Sequence, residues 1–257
     1  MARHCLIACE VFHREFCAAL ARTPNTVDAI FVPQGLHDKR AASMARDLQS
    51  RLDAVDEAGY DALLLGYGLC NNGIAGVRAG RTPVVVTRAH DCITMFLGSK
   101  ERYARVFAEH PGSYYLTSGW IERARRSIET LPTRVKGAHP SDANYRNYVE
   151  RFGEENAEYL MEAMGHWKDR YGRMVFINLG LGDVESLRAH TRREAERRDL
   201  GFEEWSGDLS LFQGLVDGPE WPGDRYLVVA PGCTLQPSYD ERVVEARPAA
   251  PDHGTSS

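Results

Sequence analysis

Short apolar runs, each stopped abruptly by glycine or by a reactive polar residue, set the tightest limit on this fold. "CLIACEVF", "VDAIFVPQGLH", "YDALLLGYG", "TPVVVTRAHDC", "GSYYLTSGW", "RMVFINLGLGD" and "DRYLVVAPGCTL" each carry three to five consecutive apolar residues before polarity returns. Such runs are too short for helices of ordinary length and suit strands. Val84, Val85 and Val86 follow one another without alternation, as expected of a strand covered on both faces. Between the runs lie helical patterns. "REFCAALAR" places Phe16, Cys17 and Leu20 at helical spacing. "AASMARDLQSRLDAVDEAG" places Met44, Leu48, Leu52 and Val55 on one face before Gly59. "SKERYARVFAEH" begins at Ser99, a good N-cap, with Glu101 in its first turn. Asp183 is the expected cap of "VESLRAHTRREAERRDLG", and "DLSLFQGLVDG" is a further short helix. Strands alternating with helices predict an α/β fold with a mostly parallel sheet flanked by helices.

The 257 residues suffice for one large α/β domain, so residues 1–245 are read as a single domain. Residues 121–150 are polar and irregular, and 151–168 look helical; 121–170 is therefore read as a helical insertion or lid. Residues 246–257 have the composition of a disordered tail. The net charge of −5 argues against nonspecific nucleic-acid binding and against adhesion to an anionic membrane, both of which need basic patches. No apolar run approaches the ~20 residues that span a bilayer. The first apolar stretch is too short and too polar-flanked for a signal peptide, so the protein is expected to be cytoplasmic. There, six cysteines are expected as thiols or metal ligands rather than disulfides.

In a parallel sheet the carboxyl ends of all strands open on one edge, and ligands bind there. The residues that follow the apolar runs are therefore the candidate site: Cys9 and Glu10, Gln34 and His37, Cys70 and Asn71, His90 to Cys92, Trp120, and Cys233. Four of the six cysteines fall in this set. Zinc or iron held by thiolate and imidazole needs three or four such donors within ~2–2.3 Å of one point. Cys70, His90 and Cys92 are the proposed core of that set, with Cys9 and Cys233 as further ligands. His90 and Cys92, two apart in an extended loop, would face the same way. Asp91 or Glu10 would act as acid or base, while Asn71, Trp120 and His37 would line a substrate pocket. Each residue alone has a plainer reading. An isolated cysteine is usually a packed small hydrophobe, and His37 could simply open a helix. The cluster is what points to a site. No C-x-x-C pair, G-x-S-x-G elbow, G-x-G-x-x-G turn or P-loop is present.

"GYGLCNNG", "RAHDCITMFLGS" followed by Tyr103, and "GSYYLTSGWIE", in that order, with "ACEVF" before and "APGCTL" after, resemble the family called domain of unknown function 1638. The likeness covers nearly the whole chain apart from the tail. Genes of that family often accompany corrinoid-dependent methyltransferases, which implies a role near one-carbon or methylated-amine metabolism. His90-Asp91-Cys92 with Cys233 is also similar to the zinc set of corrinoid-to-thiol methyltransferases. Those enzymes are (β/α)₈ barrels, whereas eight βα units are not found here, and the corrinoid-binding pattern Asp-x-His-x-x-Gly is absent.

Three functions follow. The first is a zinc- or iron-dependent enzyme acting on a small molecule through an activated thiolate or water. The second is a noncatalytic binding protein serving a corrinoid protein or methyltransferase. The third is a metal-free hydrolase with Cys70 as nucleophile and His90 as base.

Overall fold

The computed structural model describes residues 1–34, 41–70, 72–123, 154 and 171–249. The expected insertion beyond Arg123 lies outside the described residues apart from Glu154 and Tyr171 onward. The chain opens with β1 (Arg3–Cys9), a single 3-10 turn (Glu10–Phe12), α1 (His13–Leu20), β2 (Thr26–Val32), α2 (Ala41–Asp53) and β3 (Ala62–Gly66). It continues with β4 (Val84–Thr87), α3 (Cys92–Leu97), α4 (Lys100–Glu109), β5 (Ser113–Leu116) and α5 (Ser118–Arg123). After the undescribed stretch come β6 (Arg173–Asn178), α6 (Val184–Arg197), β7 (Gly201–Ser206) and α7 (Ser210–Asp217). β8 (Tyr226–Val229), β9 (Cys233–Pro237) and β10 (Val244–Pro248) complete it.

The fold is mixed α/β and rich in parallel pairing, as the apolar runs require. The main sheet has the order β2-β1-β3-β4-β8, with the first four strands parallel. β5, β6 and β7 form a second, wholly parallel sheet, and β9 pairs with β10 in an antiparallel ribbon. β3 and β4 are buried along their whole length, which explains their unbroken aliphatic composition. Burying one Leu or Val of such a strand stabilises by about 1.5–3 kcal/mol. No helix among the described residues is long and apolar enough to cross a membrane.

Three local expectations change. β8 runs antiparallel to β4, with Val84 opposite Val229 and Thr87 opposite Tyr226. The segment leaving β8 therefore emerges at the amino edge of the parallel strands, opposite to the rim where the other strands end. On α1 the buried residues are Glu15, Phe16 and Ala19, and Cys17 is exposed. Residues 246–248, assigned by composition to a disordered tail, complete β10, where Ala246 lies opposite Leu235.

The two parallel sheets turn their carboxyl ends toward one another. Beyond β1, the backbone at Val11 lies so close to Gly119 of α5 that a Cβ there would overlap the Val11 carbonyl. Arg14 of α1 pairs with Glu122 of α5 at 2.8 Å. Beyond β4, the Phe96 carbonyl of α3 accepts the Asp208 N–H at 2.9 Å, and Arg102 of α4 donates to the Ser206 carbonyl at 2.5 Å. This seam frames the crevice above β1, β3 and β4.

Candidate functional site

Strand order places the site before any side chain is considered. β1 is followed in sequence by its neighbour on one side, β2, and then by its neighbour on the other, β3. The connections from β1 and β3 thus leave in opposite directions, and a crevice opens at their carboxyl ends. Open α/β sheets bind ligands in that crevice.

Cys9 is the last residue of β1, and Cys70 follows the end of β3. Cys92 opens α3, just beyond β4. The loop carrying Cys70 is drawn against the segment after β4 by hydrogen bonds from Leu69 N–H to the Ala89 carbonyl, 2.8 Å, and from Cys70 N–H to the His90 carbonyl, 3.0 Å. Glycine is required for this approach. A Cβ at Gly68 would stand 2.8–2.9 Å from the backbone of Asp91. Cys70 itself adopts the left-handed conformation, φ +44°, as does Asn72 with φ +63°. That region is uncommon for a residue with a side chain, and strain of this kind gathers at functional positions.

The three thiols lie within electrostatic reach of one another. Burial pushes Cys70 up to about 12, and the charges of Asp91 and Cys9 act the same way; N–H groups of Cys92 and Gly68 directed at its sulfur oppose the shift. Burial likewise raises Cys9 to about 12, against the Val11 N–H. Cys92 is held well above the ordinary thiol range by burial, then by Cys70 and Asp91, while the Trp120 indole N–H donates to its sulfur. All three are therefore protonated thiols at neutral pH, and ionising one is opposed by the others. The fully buried Tyr67 feels both Cys9 and Cys70.

The remaining candidates take different places. Asp91 is the N-cap of α3: its Oδ1 accepts from the Thr94 N–H at 3.0 Å and the Thr94 hydroxyl at 3.3 Å, and its Oδ2 accepts from the Tyr103 hydroxyl at 3.0 Å. Both oxygens are thus engaged in holding α3 and α4. Because Asp91 starts a helix, the loop is not extended past it, and His90 and Cys92 go to different neighbours. His90 is exposed and its ring stacks on Tyr103, with centroids 6.1 Å apart. Glu10 accepts the Gln34 N–H at 2.8 Å, tying the end of β1 to the end of β2. Trp120 reaches the site from α5 and packs against the cores under both parallel sheets. Cys233 starts β9, with its carbonyl accepting the Ala79 N–H on the approach to β4. The antiparallel direction of β8 has carried it to the other edge. Asn71 and His37 lie outside the described residues.

Three soft sulfur donors thus share one crevice. Among the described residues, however, no group of three or more His, Cys, Asp or Glu side chains is disposed to hold a metal ion. His90 and Cys233, two of the expected ligands, are directed elsewhere.

A residue that sequence reasoning missed stands at the seam. Glu15 of α1 is fully buried and accepts a hydrogen bond from the Ser118 hydroxyl of α5 at 3.0 Å. Its Oε2 has no partner among the described residues. Burial raises its carboxyl to about 7. One signal was legible: Glu15 stands four residues before Ala19 and beside Phe16, on the face that must be buried.

A family model described as "Protein of unknown function (DUF1638)" matches residues 31–216. It stops short of β1 and of the segment after α7, so "ACEVF" and "APGCTL" lie outside the match. No curated protein and no solved structure matches the chain.

Proposed function

The chain belongs to the DUF1638 family, and from that premise we propose that it is a small-molecule enzyme whose reacting group is the Cys70 sulfur. The observation that carries this reading is the left-handed backbone of Cys70 at the β1/β3 crevice. Such a backbone is strained at a residue with a side chain, and strain of this kind gathers at functional positions. At rest the thiol is protonated and inert, because burial and Asp91 disfavour its anion. A ligand that brings positive charge into the crevice reverses this balance and releases the nucleophile. The sulfur then attacks an electrophilic carbon of the substrate: the S–C bond forms, the carbon's bond to the leaving group breaks, and the leaving group departs with that electron pair and the thiol's proton; water then displaces the sulfur from the carbon and returns a proton to it. Cys9 and Cys92 keep the surroundings soft and poorly solvated. Trp120 walls one side and fixes the Cys92 sulfur through its indole N–H.

A zinc- or iron-dependent form is the second reading, favoured by the gathering of three sulfurs. A bound ion would hold a thiol as thiolate near neutral pH. The described side chains do not form its ligand set. Membership of one-carbon or methylated-amine metabolism, and a corrinoid protein or methyltransferase as partner, rest on the family resemblance and on no residue of the site.

The test is a turnover screen of methylated amines and thiols, with and without a corrinoid protein, using wild type and Cys70→Ser. Product from wild type and none from the variant supports the reading. Saturable binding without product supports a noncatalytic accessory protein. Metal analysis of protein purified without added metal separates the two forms: stoichiometric zinc or iron, lost in Cys92→Ser, selects the metal form.

A further inference from the structure

Glu15 lies where the two parallel sheets meet. It sits on α1, which follows β1; its hydrogen-bond partner Ser118 begins α5, which follows β5. Trp120, two residues along the same short helix, donates to the sulfur of Cys92. Glu15 therefore touches the helix that positions one wall of the thiol crevice, although it touches none of the thiols. Beneath it α7 packs on α1, with the rings of Phe16 and Phe212 5.1 Å apart. Apolar packing leaves a charge at Glu15 poorly solvated: its own N–H and the Ser118 hydroxyl favour the anion, but among the described residues Oε2 has no donor.

We propose that Glu15 is a proton-operated latch on this seam: neutral, it holds α5 against α1 and keeps the thiol crevice closed; charged, it releases α5 so that water can reach Oε2. The inference rests on the thiol reading for what the latch uncovers, but not for the latch itself. The charged groups around Glu15 are few. From α5, Glu122 disfavours the anion; from α1, Arg14 favours it. Those two are paired with each other at the surface. On the single turn before α1, Glu10 is engaged by Gln34, and on α7, Asp217 is engaged by Gln213. Arg14 acts on Glu15 only at a distance, because its guanidinium is engaged by Glu122.

The direction with pH follows from linkage. A solvated glutamate ionises near its ordinary value of 4.5, and the closed seam holds the proton up to about 7. Between these values the open form has lost a proton that the closed form retains. Opening is then favoured by about tenfold per pH unit through that window and levels off above it.

Hydrogen exchange of the full chain, read by mass spectrometry and corrected for intrinsic rates, tests the latch in peptides covering 10–20 and 116–123. Wild type is expected to open more as pH rises from 5 to 7 and then to level off. Glu15→Gln, neutral at every pH, should show no such course. Ser118→Ala removes a donor that favours the anion, and should move the levelling-off to higher pH. Identical pH courses in wild type and Glu15→Gln overturn the proposal. Should the Gln variant fail to fold, an unmoved course in Ser118→Ala overturns it instead. Alkylation of Cys92 followed in the same samples should track the opening. If the seam responds while Cys70→Ser turns over normally, the latch stands and the thiol reading falls. If the seam is indifferent to pH while Cys70→Ser is dead, the latch alone falls.

Discussion

Gly119 and Val11 meet backbone to backbone, the α-carbon of one against the carbonyl of the other, and this contact joins the carboxyl ends of two separate parallel sheets. No side chain fits between them. Gly119→Ala is expected to force α5 away from the 3-10 turn, since the obstacle is backbone and cannot rotate aside. Overpacking of a rigid site costs about 1–3 kcal/mol, and a backbone clash lies at or above the top of that range. Urea denaturation should show the loss. A variant as stable as wild type would mean that the seam yields easily.

Asp91 is the second point where two elements depend on one side chain. Its oxygens cap α3 and receive the Tyr103 hydroxyl of α4. Loss of an N-cap costs about 1 kcal/mol, and a hydrogen bond to a charged group contributes about 1.5–3 kcal/mol. Asp91→Ala should therefore lower stability by about 2 kcal/mol or more. Asp91→Asn retains a capping oxygen and should lose less. Tyr103→Phe should lose only the hydroxyl's share. Thermal melts of the three variants at one pH give the ranking. A turnover defect in Asp91→Asn out of proportion to its stability loss would restore this residue to acid or base chemistry.

What the sequence made legible was local. The aliphatic runs of β3 and β4 are fully buried strands, and Ser99 and Asp183 cap their helices through the N–H groups three residues on. These outcomes depend on neighbours in the chain. What was not legible depends on partners far away. The direction of β8 is set by pairing with β4, some 140 residues earlier, and a run such as "YLVV" reads the same in either direction. That reversal removes Cys233 from the rim. β7, "GFEEWS", pairs with β6 at the edge of the second sheet and alternates too weakly to announce itself. The start of α3 at Cys92 is written in Asp91 and Thr94 at cap spacing, a signal that "AHDC" carries together with its reactive side chains.

Thiol reactivity offers a direct view of the crevice. Cys9 and Cys70 are each raised to about 12 against an ordinary 9. At neutral pH their thiolate fraction is lower than that of an ordinary thiol by on the order of 10³, and the thiolate is the reacting form. Alkylation of ligand-free protein, followed by peptide mass spectrometry, should modify exposed Cys17 first and leave Cys9 and Cys70 largely unmodified. The slow thiols should gain speed as pH climbs toward 12, provided the fold persists. Rapid modification of Cys70 at pH 7 in the absence of ligand would contradict the inert resting state.

Global stability should record Glu15 with a definite sign. Its carboxyl is raised to about 7 in the folded chain from an ordinary 4.5. Between these values the folded state binds more protons than the unfolded state, so stability falls as pH rises and is level above about 7. The difference of about 2.5 pH units corresponds to about 3 kcal/mol at most. Glu15→Gln removes the ionisation but keeps the shape and the acceptor for Ser118. The variant should match wild type near pH 4.5 and exceed it progressively up to pH 7, with a constant advantage beyond. Urea midpoints at half-unit steps of pH measure this. An advantage independent of pH would mean that Glu15 ionises in the folded chain at its ordinary value, and a disadvantage at pH 7 would mean that its anion is stabilised by a donor to Oε2.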